Sequence, residues 1–313
     1  MEEIRTVYVR TEASIRVDSF EVLSAIRLIV AVEVLGYAAL LDIKTRKVPN
    51  KYWIALSIFG LAMIGLEAVL EHAPVESLLV FIPIAAILSD IYIGASAGGV
   101  SEKYGAAAKY AVAVGAIVVI GILWGSDDYV QNLLVVPVMM IIIVILYTVD
   151  AIRGGADAKA LVALAIVFPF YPSIGSLPLI AGSGDIGAIP FPFAFVMLIT
   201  AAIIVALTPL GFLARNAARG DLQFPQALFG YRMDAHEAEK KHIWLMERME
   251  DGGHILYTRP KREEDLRREL GLLTAAGHSR VWVTPKIPFI VPLLIALVFA
   301  AVVGDLFQLL FPL

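Results

Sequence analysis

Apolar residues in this chain come in long unbroken runs separated by short polar stretches. That pattern marks membrane-crossing helices rather than amphipathic helices or alternating strands. Eight such runs are present, at about 23–41, 52–70, 78–94, 106–124, 132–149, 157–171, 190–213 and 287–311. The sixth is short and stops at Pro169 and Pro172, which predicts a tilted or partial helix. The first run carries Arg27 and Glu33. Glu33 precedes Asp42 by nine residues, about half a rotation of helix, so the two face different ways, and Glu33 reads as a polar contact between helices.

The loops between the runs carry an orientation. Lys44, Arg46, Lys47 and Lys51 cluster in 43–51, which places that loop in the cytoplasm. Alternation then puts 95–109 (Lys103, Lys109) and 150–159 (Arg153, Lys159) on the same side. The segments 71–77, 125–131 and 172–189 contain no lysine or arginine and fall outside, as do both termini. The segment 214–286 holds 13 of the 25 basic residues and falls inside.

That segment is the one stretch with a soluble pattern. Helical spacing with dense charge runs over 234–250 and 261–276, and Ile255–Thr258 and Arg280–Thr284 read as short strands. Gly252-Gly253 and Gly277 sit where those helices should end. The expected organisation is an extracytoplasmic segment 1–22, a membrane domain 23–213, a small cytosolic α/β domain 214–286 and a last transmembrane helix 287–313. The fold class is all-α polytopic with that α/β insertion.

Composition agrees with a bilayer as solvent: 59% of residues are hydrophobic, 17% are charged and the mean hydropathy is +0.80. The net charge of −4 contains no basic excess, so no nucleic-acid partner is expected. The absence of cysteine removes disulfides and thiolate chemistry, and the five histidines show no metal-ligand spacing, so no metal or cofactor is expected. The charged start of the chain lacks a small-residue cleavage site and is not read as a removable signal peptide.

Two polar stretches carry candidate chemistry. In Leu41-Asp42-Ile43-Lys44-Thr45-Arg46-Lys47-Val48-Pro49-Asn50 an aspartate closes an apolar run before a basic loop. In Arg153-Gly154-Gly155-Ala156-Asp157-Ala158-Lys159 two glycines and an alanine precede an aspartate that opens the next run. Carboxylates at membrane helix ends are functional candidates, and small residues before one let an extended backbone approach. The expected topology sets Asp42 and Asp157 at the same membrane depth, on different spans. Two adjoining carboxyl groups do not readily both ionise, so one can take a proton from water while the other polarises a peptide carbonyl. Lys44 and Lys159 each follow an aspartate by two residues and can bias the local field or hold an acidic group. Taken singly, each aspartate would also pass for a solvated helix-end charge.

Gly182-Ser183-Gly184-Asp185 matches the pattern Gly-x-Gly-Asp to the letter, yet its loop falls on the outer side. Carboxylates roughly 30 Å apart cannot share a water, so Asp185 is rejected as a catalytic residue. Asp150 and Asp90 lie near the same helix ends as the pair and are lesser, supporting candidates.

Together the stretches around Asp42 and Asp157 resemble the archaeal type IV prepilin and preflagellin peptidases, intramembrane aspartyl proteases of the Gly-x-Gly-Asp type. The segment Val281-Trp282-Val283-Thr284-Pro285-Lys286-Ile287-Pro288-Phe289 is similar to the C-terminal domain of larger archaeal members. The resemblance implies that Asp42 and Asp157 are catalytic, with Gly154, Gly155, Lys44, Lys159, Pro49 and Asn50 supporting them or binding substrate. It implies cleavage of the basic leader of membrane-anchored prepilin-like or preflagellin-like proteins at the cytoplasmic face of the cell membrane, without a cofactor. The fourth and fifth spans look like additions relative to smaller members. The bacterial enzymes' cysteine-rich zinc loop and any methyl-donor site are lacking, as is the Pro-Ala-Leu element of presenilin-like relatives. The alternative is a proton-coupled transporter using Asp42, Asp157 and Glu33, although the inverted repeats common in carriers are not found. A non-enzymatic subunit of a pilus or secretion apparatus would need no aspartate pair.

Overall fold

Apolar runs in a bilayer fold as helices because a helix satisfies its own backbone polar groups. The computed structural model describes residues 2–93, 100–152, 154–180, 192–250, 252–258 and 265–306. The chain divides into two compact units, Met1–Ala201 with Phe289–Leu313, and Ala202–Pro288.

The first unit is helical. α1 (Glu2–Thr45), α2 (Asn50–Leu70), α3 (Phe81–Ile93), α4 (Val100–Trp124), α5 (Asp128–Thr148), α6 (Gly155–Val167) and α11 (Ile290–Val302) belong to it, and α7 (Phe193–Ala206) begins in it. Among the described residues six stretches are long and apolar enough to cross a membrane: Ser19–Thr45, Asn50–Leu70, Val75–Ile93, Tyr104–Trp124, Asp128–Thr148 and Phe193–Arg219. The two remaining expected runs form 13-residue helices, α6 and α11. α1 is one continuous helix, so the stretch expected as a separate N-terminal segment runs straight into the first span.

α6 is the centre of this unit. Ala158 and every residue from Ala160 to Val167 are buried, the signature of a helix surrounded by protein on all sides. It stops at Phe168, ahead of Pro169, because proline disfavours helical backbone in the residue before it. α2 packs against it at Gly60, where a Cβ would stand 2.9 Å from the Val167 backbone nitrogen. Replacing Gly60 by valine should therefore force the two helices apart and destabilise the bundle by about 1–3 kcal/mol, read as a lowered thermal midpoint in detergent. Arg27 of α1 and Glu67 of α2 form an ion pair with both side chains buried.

Among the described residues the second unit contains the end of α7, α8 (Thr208–Arg219), five strands and two further α-helices. β1 (Tyr231–Asp234), β5 (Arg280–Pro285) and β2 (Ile243–Leu245) form an antiparallel sheet in the order β1-β5-β2. β3 (Glu247–Glu250) and β4 (Gly253–Leu256) form a hairpin that turns at Gly252, whose φ of +79° suits glycine. α10 (Leu266–Ala275) covers the sheet with Leu270 and Leu273 over Met233, Leu245, Val281 and Val283.

The helix expected over 234–250 is not there. Only one helical turn, α9 (Ala235–Ala238), forms there, followed by a turn and then by β2 and β3. Asp234 accepts a hydrogen bond from the His236 amide and fixes the turn, after which Ile243 and Leu245 alternate inward to pair with β5. Gly252 accordingly sits in a hairpin, whereas Gly277 does follow a helix, with a φ of +93°. Glu247 is buried, accepting from the Trp282 amide at 2.7 Å and lying 2.8 Å from the His254 ring.

Candidate active site

Asp42 lies in the last turn of α1, where Thr45 Oγ1 donates to the Leu41 carbonyl at 2.9 Å. Arg46 leaves the helix at a φ of 57°, its amide donating to the Asp42 carbonyl at 3.1 Å. Its guanidinium is near enough for its charge to act on the Asp42 carboxylate. The chain then crosses Val48 and the extended Pro49 to begin α2 at Asn50. Proline suits this place because its fixed φ needs no rearrangement and it has no amide to leave unpaired.

Asp157 stands in the first turn of α6, where the unpaired amides of the helix favour negative charge. Gly154 caps that helix in an extended conformation without a side-chain hydrogen bond. Asp157 and Asp42 are close enough for one charge to act on the other, and both are half-buried. Residues 115 positions apart in the sequence thus come within electrostatic range of each other.

The glycines shape the room around it. A Cβ at Gly154 would overlap the Asp157 carboxylate, and one at Gly155 would stand 3.4 Å from the Tyr147 hydroxyl. Gly154→Ala should therefore rotate the Asp157 carboxylate out of place while leaving the helix formed. The expected result is at least about a tenfold loss of any reaction rate that depends on that carboxylate, the scale of a group misplaced by about 1 Å, with an unchanged thermal midpoint.

Lys159 does not reach toward either aspartate as a counter-ion. Its ammonium donates to Asn50 Oδ1 at 2.9 Å and lies 5.9 Å from the centre of the Tyr92 ring, tying the start of α6 to the start of α2 and the end of α3. Lys44 and Pro49 are exposed, and Lys44 has no hydrogen bond or ion pair among the described residues. Asp90 faces Lys109 at 3.5 Å. It lines a cavity of about 490 Å³ bordered also by Tyr110, Tyr147, Thr148, Gly155 and Lys159, next to Asp157. Asp150 is exposed beyond the end of α5, with a φ of 60°. Asp185 lies outside the described residues, as does Arg153. Among the described residues no group of three His, Cys, Asp or Glu side chains could hold a metal ion.

Tyr92, Tyr110 and Tyr147 were not singled out by sequence reasoning. The available signal was their position at the ends of apolar runs, where tyrosine commonly marks the membrane boundary.

Comparison with known proteins bears on two parts of the chain's character. Residues 223–306 match the family model described as Archaeal Peptidase A24 C-terminus Type II. The preflagellin peptidase of Methanocaldococcus jannaschii is 28% identical over 159 residues, 49% of this chain and 63% of that protein. The preflagellin peptidase of Methanococcus maripaludis is 24% identical over 162 residues, 49% of this chain and 64% of that protein. The chain is similar to the archaeal prepilin and preflagellin peptidases, through that C-terminal match and these two relatives. Its match spans less than two thirds of the length of either relative. The apolar helices make it a multi-pass membrane protein.

Proposed function

We propose that this chain is a membrane aspartyl endopeptidase that removes the leader from preflagellin-like or prepilin-like proteins. The observation that carries the reading is that Asp42 and Asp157 lie near enough for one charge to act on the other. The names of the two relatives supply the substrate class. One carboxylate takes a proton from water as the water oxygen adds to the scissile carbonyl. The other, protonated, donates to the carbonyl oxygen. On collapse of the tetrahedral adduct the proton taken from water passes to the leaving amine, and the donor carboxylate recovers its own proton from the adduct's hydroxyl. Gly154 gives the Asp157 carboxylate its place, because that carboxylate fills the space a Cβ would take. The basic loop 43–51 supports a cytoplasmic position for this end, where a substrate's apolar helix meets the cytosol. The segment 214–286, rich in lysine and arginine, is placed on that same side, and 1–22 on the other.

The test is incubation of the purified protein in detergent with a preflagellin-like substrate, followed by mass measurement of the products. A single cut before the apolar helix, retained by Asp185→Asn, is the expected result. No cut of any leader-bearing substrate, together with proton uptake by protein-loaded vesicles, would replace the peptidase with a proton-coupled carrier.

A further inference from the structure

Val22, Ile26, Ile29, Glu33, Tyr37 and Leu40 recur at spacings of three and four along α1, so they share one face. All six are exposed. Five of them suit lipid, and Glu33 does not. It lies 14 residues from the start and 12 from the end of the span Ser19–Thr45, roughly 20 Å from either edge, too deep for its short side chain to reach water. Intramembrane carboxylates normally face protein or a water-filled cavity and pair there. This chain follows that rule with Arg27 and Glu67, buried against each other. Glu33 has no hydrogen bond or ion pair among the described residues.

We propose that two copies of this chain associate through the outward face of α1, with Glu33 of each copy opposed at mid-membrane. Three observations select a second copy as the occupant. A carboxyl group is self-complementary, since a protonated one donates to its twin, and a two-fold axis along the membrane normal sets each position against itself. Gly36, one turn from Glu33, has open space where a Cβ would stand, so another backbone can approach closely there. The seven-residue spacing of Val22, Ile29 and Gly36 also extends back in the sequence to Ile15 and Tyr8, within the same unbroken helix, which suits a parallel helix pair. Glu33 is half a rotation from Asp42, so a paired copy leaves the carboxylate site uncovered. The inference is independent of the peptidase reading.

The absence of cysteine makes the test direct, because an introduced thiol is the only one. Ile29→Cys and Gly36→Cys in the otherwise natural chain, reconstituted in vesicles and oxidised, should give disulfide-linked dimers of twice the chain mass. Val118→Cys on α4 and Ile58→Cys on α2, equally exposed, should stay monomeric. Glu33→Ala should weaken dimerisation in detergent roughly threefold to thirtyfold, the range for one interhelical hydrogen bond in a membrane. Equal cross-linking at Val118→Cys, none at either α1 position, or linkage of Ile29→Cys to a different polypeptide would each overturn the proposal. None of these readouts requires cleavage activity.

Discussion

Asp157→Asn is expected to lower the cleavage rate of a preflagellin-like substrate by about 10³-fold, and Asp42→Asn by a similar factor. Asparagine keeps the shape and much of the hydrogen bonding of aspartate but neither takes nor delivers the proton that peptide hydrolysis moves. In the proposed mechanism the two carboxyl groups act as one device, so the double variant should be barely slower than either single one and their effects should not multiply. The natural protein should show a bell-shaped dependence of rate on pH. At low pH both groups hold protons and no base remains; at high pH neither does and no acid remains. The two limbs belong to the pair rather than to one residue. Each variant should elute and melt as the natural protein does, since both side chains are half-buried at helix ends rather than packed in the bundle. A variant of either aspartate that cleaves at the natural rate would remove that residue from the mechanism.

Glu67→Leu is expected to have the largest effect on stability, about 3–5 kcal/mol, because it leaves the Arg27 guanidinium buried in an apolar bundle without its counter-charge. Arg27→Leu should cost a similar amount for the mirror-image reason. The double substitution to leucine removes both charges and should regain most of the loss, since the penalty comes from an uncompensated charge rather than from a missing attraction. Thermal unfolding in detergent across the four proteins measures this directly. Arg27 is 15 residues before Asp42, about 22 Å along α1, so any effect on cleavage should follow the folded fraction. Equal stability in all four would mean that the pair contributes nothing to joining α1 to α2.

Much of the membrane unit could be read from the chain in isolation. The apolar runs, the stop at Pro169, and the helix ends at Asp42 and Asp157 follow from local composition, because bilayer length and proline geometry act on neighbouring residues. The same local reasoning failed over 234–250. There the helical spacing of a charge-rich stretch lost to pairing between Ile243–Leu245 and β5, which begins 35 residues after β2 ends. Glu247 gave no sign of burial, because its partners, the Trp282 amide and His254, come from other strands. Glu67 likewise gained meaning only when α2 lay against α1.

The sequence by itself therefore determined where the apolar helices run and that two aspartates stand at their ends. Those properties depend on a residue and its near neighbours. Only the tertiary structure decided that Asp42 and Asp157 come within electrostatic range, that Lys159 bonds Asn50 rather than an aspartate, and that α6 is enclosed while one face of α1 is open. Each of these depends on which helices pack together, set by close contacts such as Gly60 against Val167, which join residues far apart in the chain.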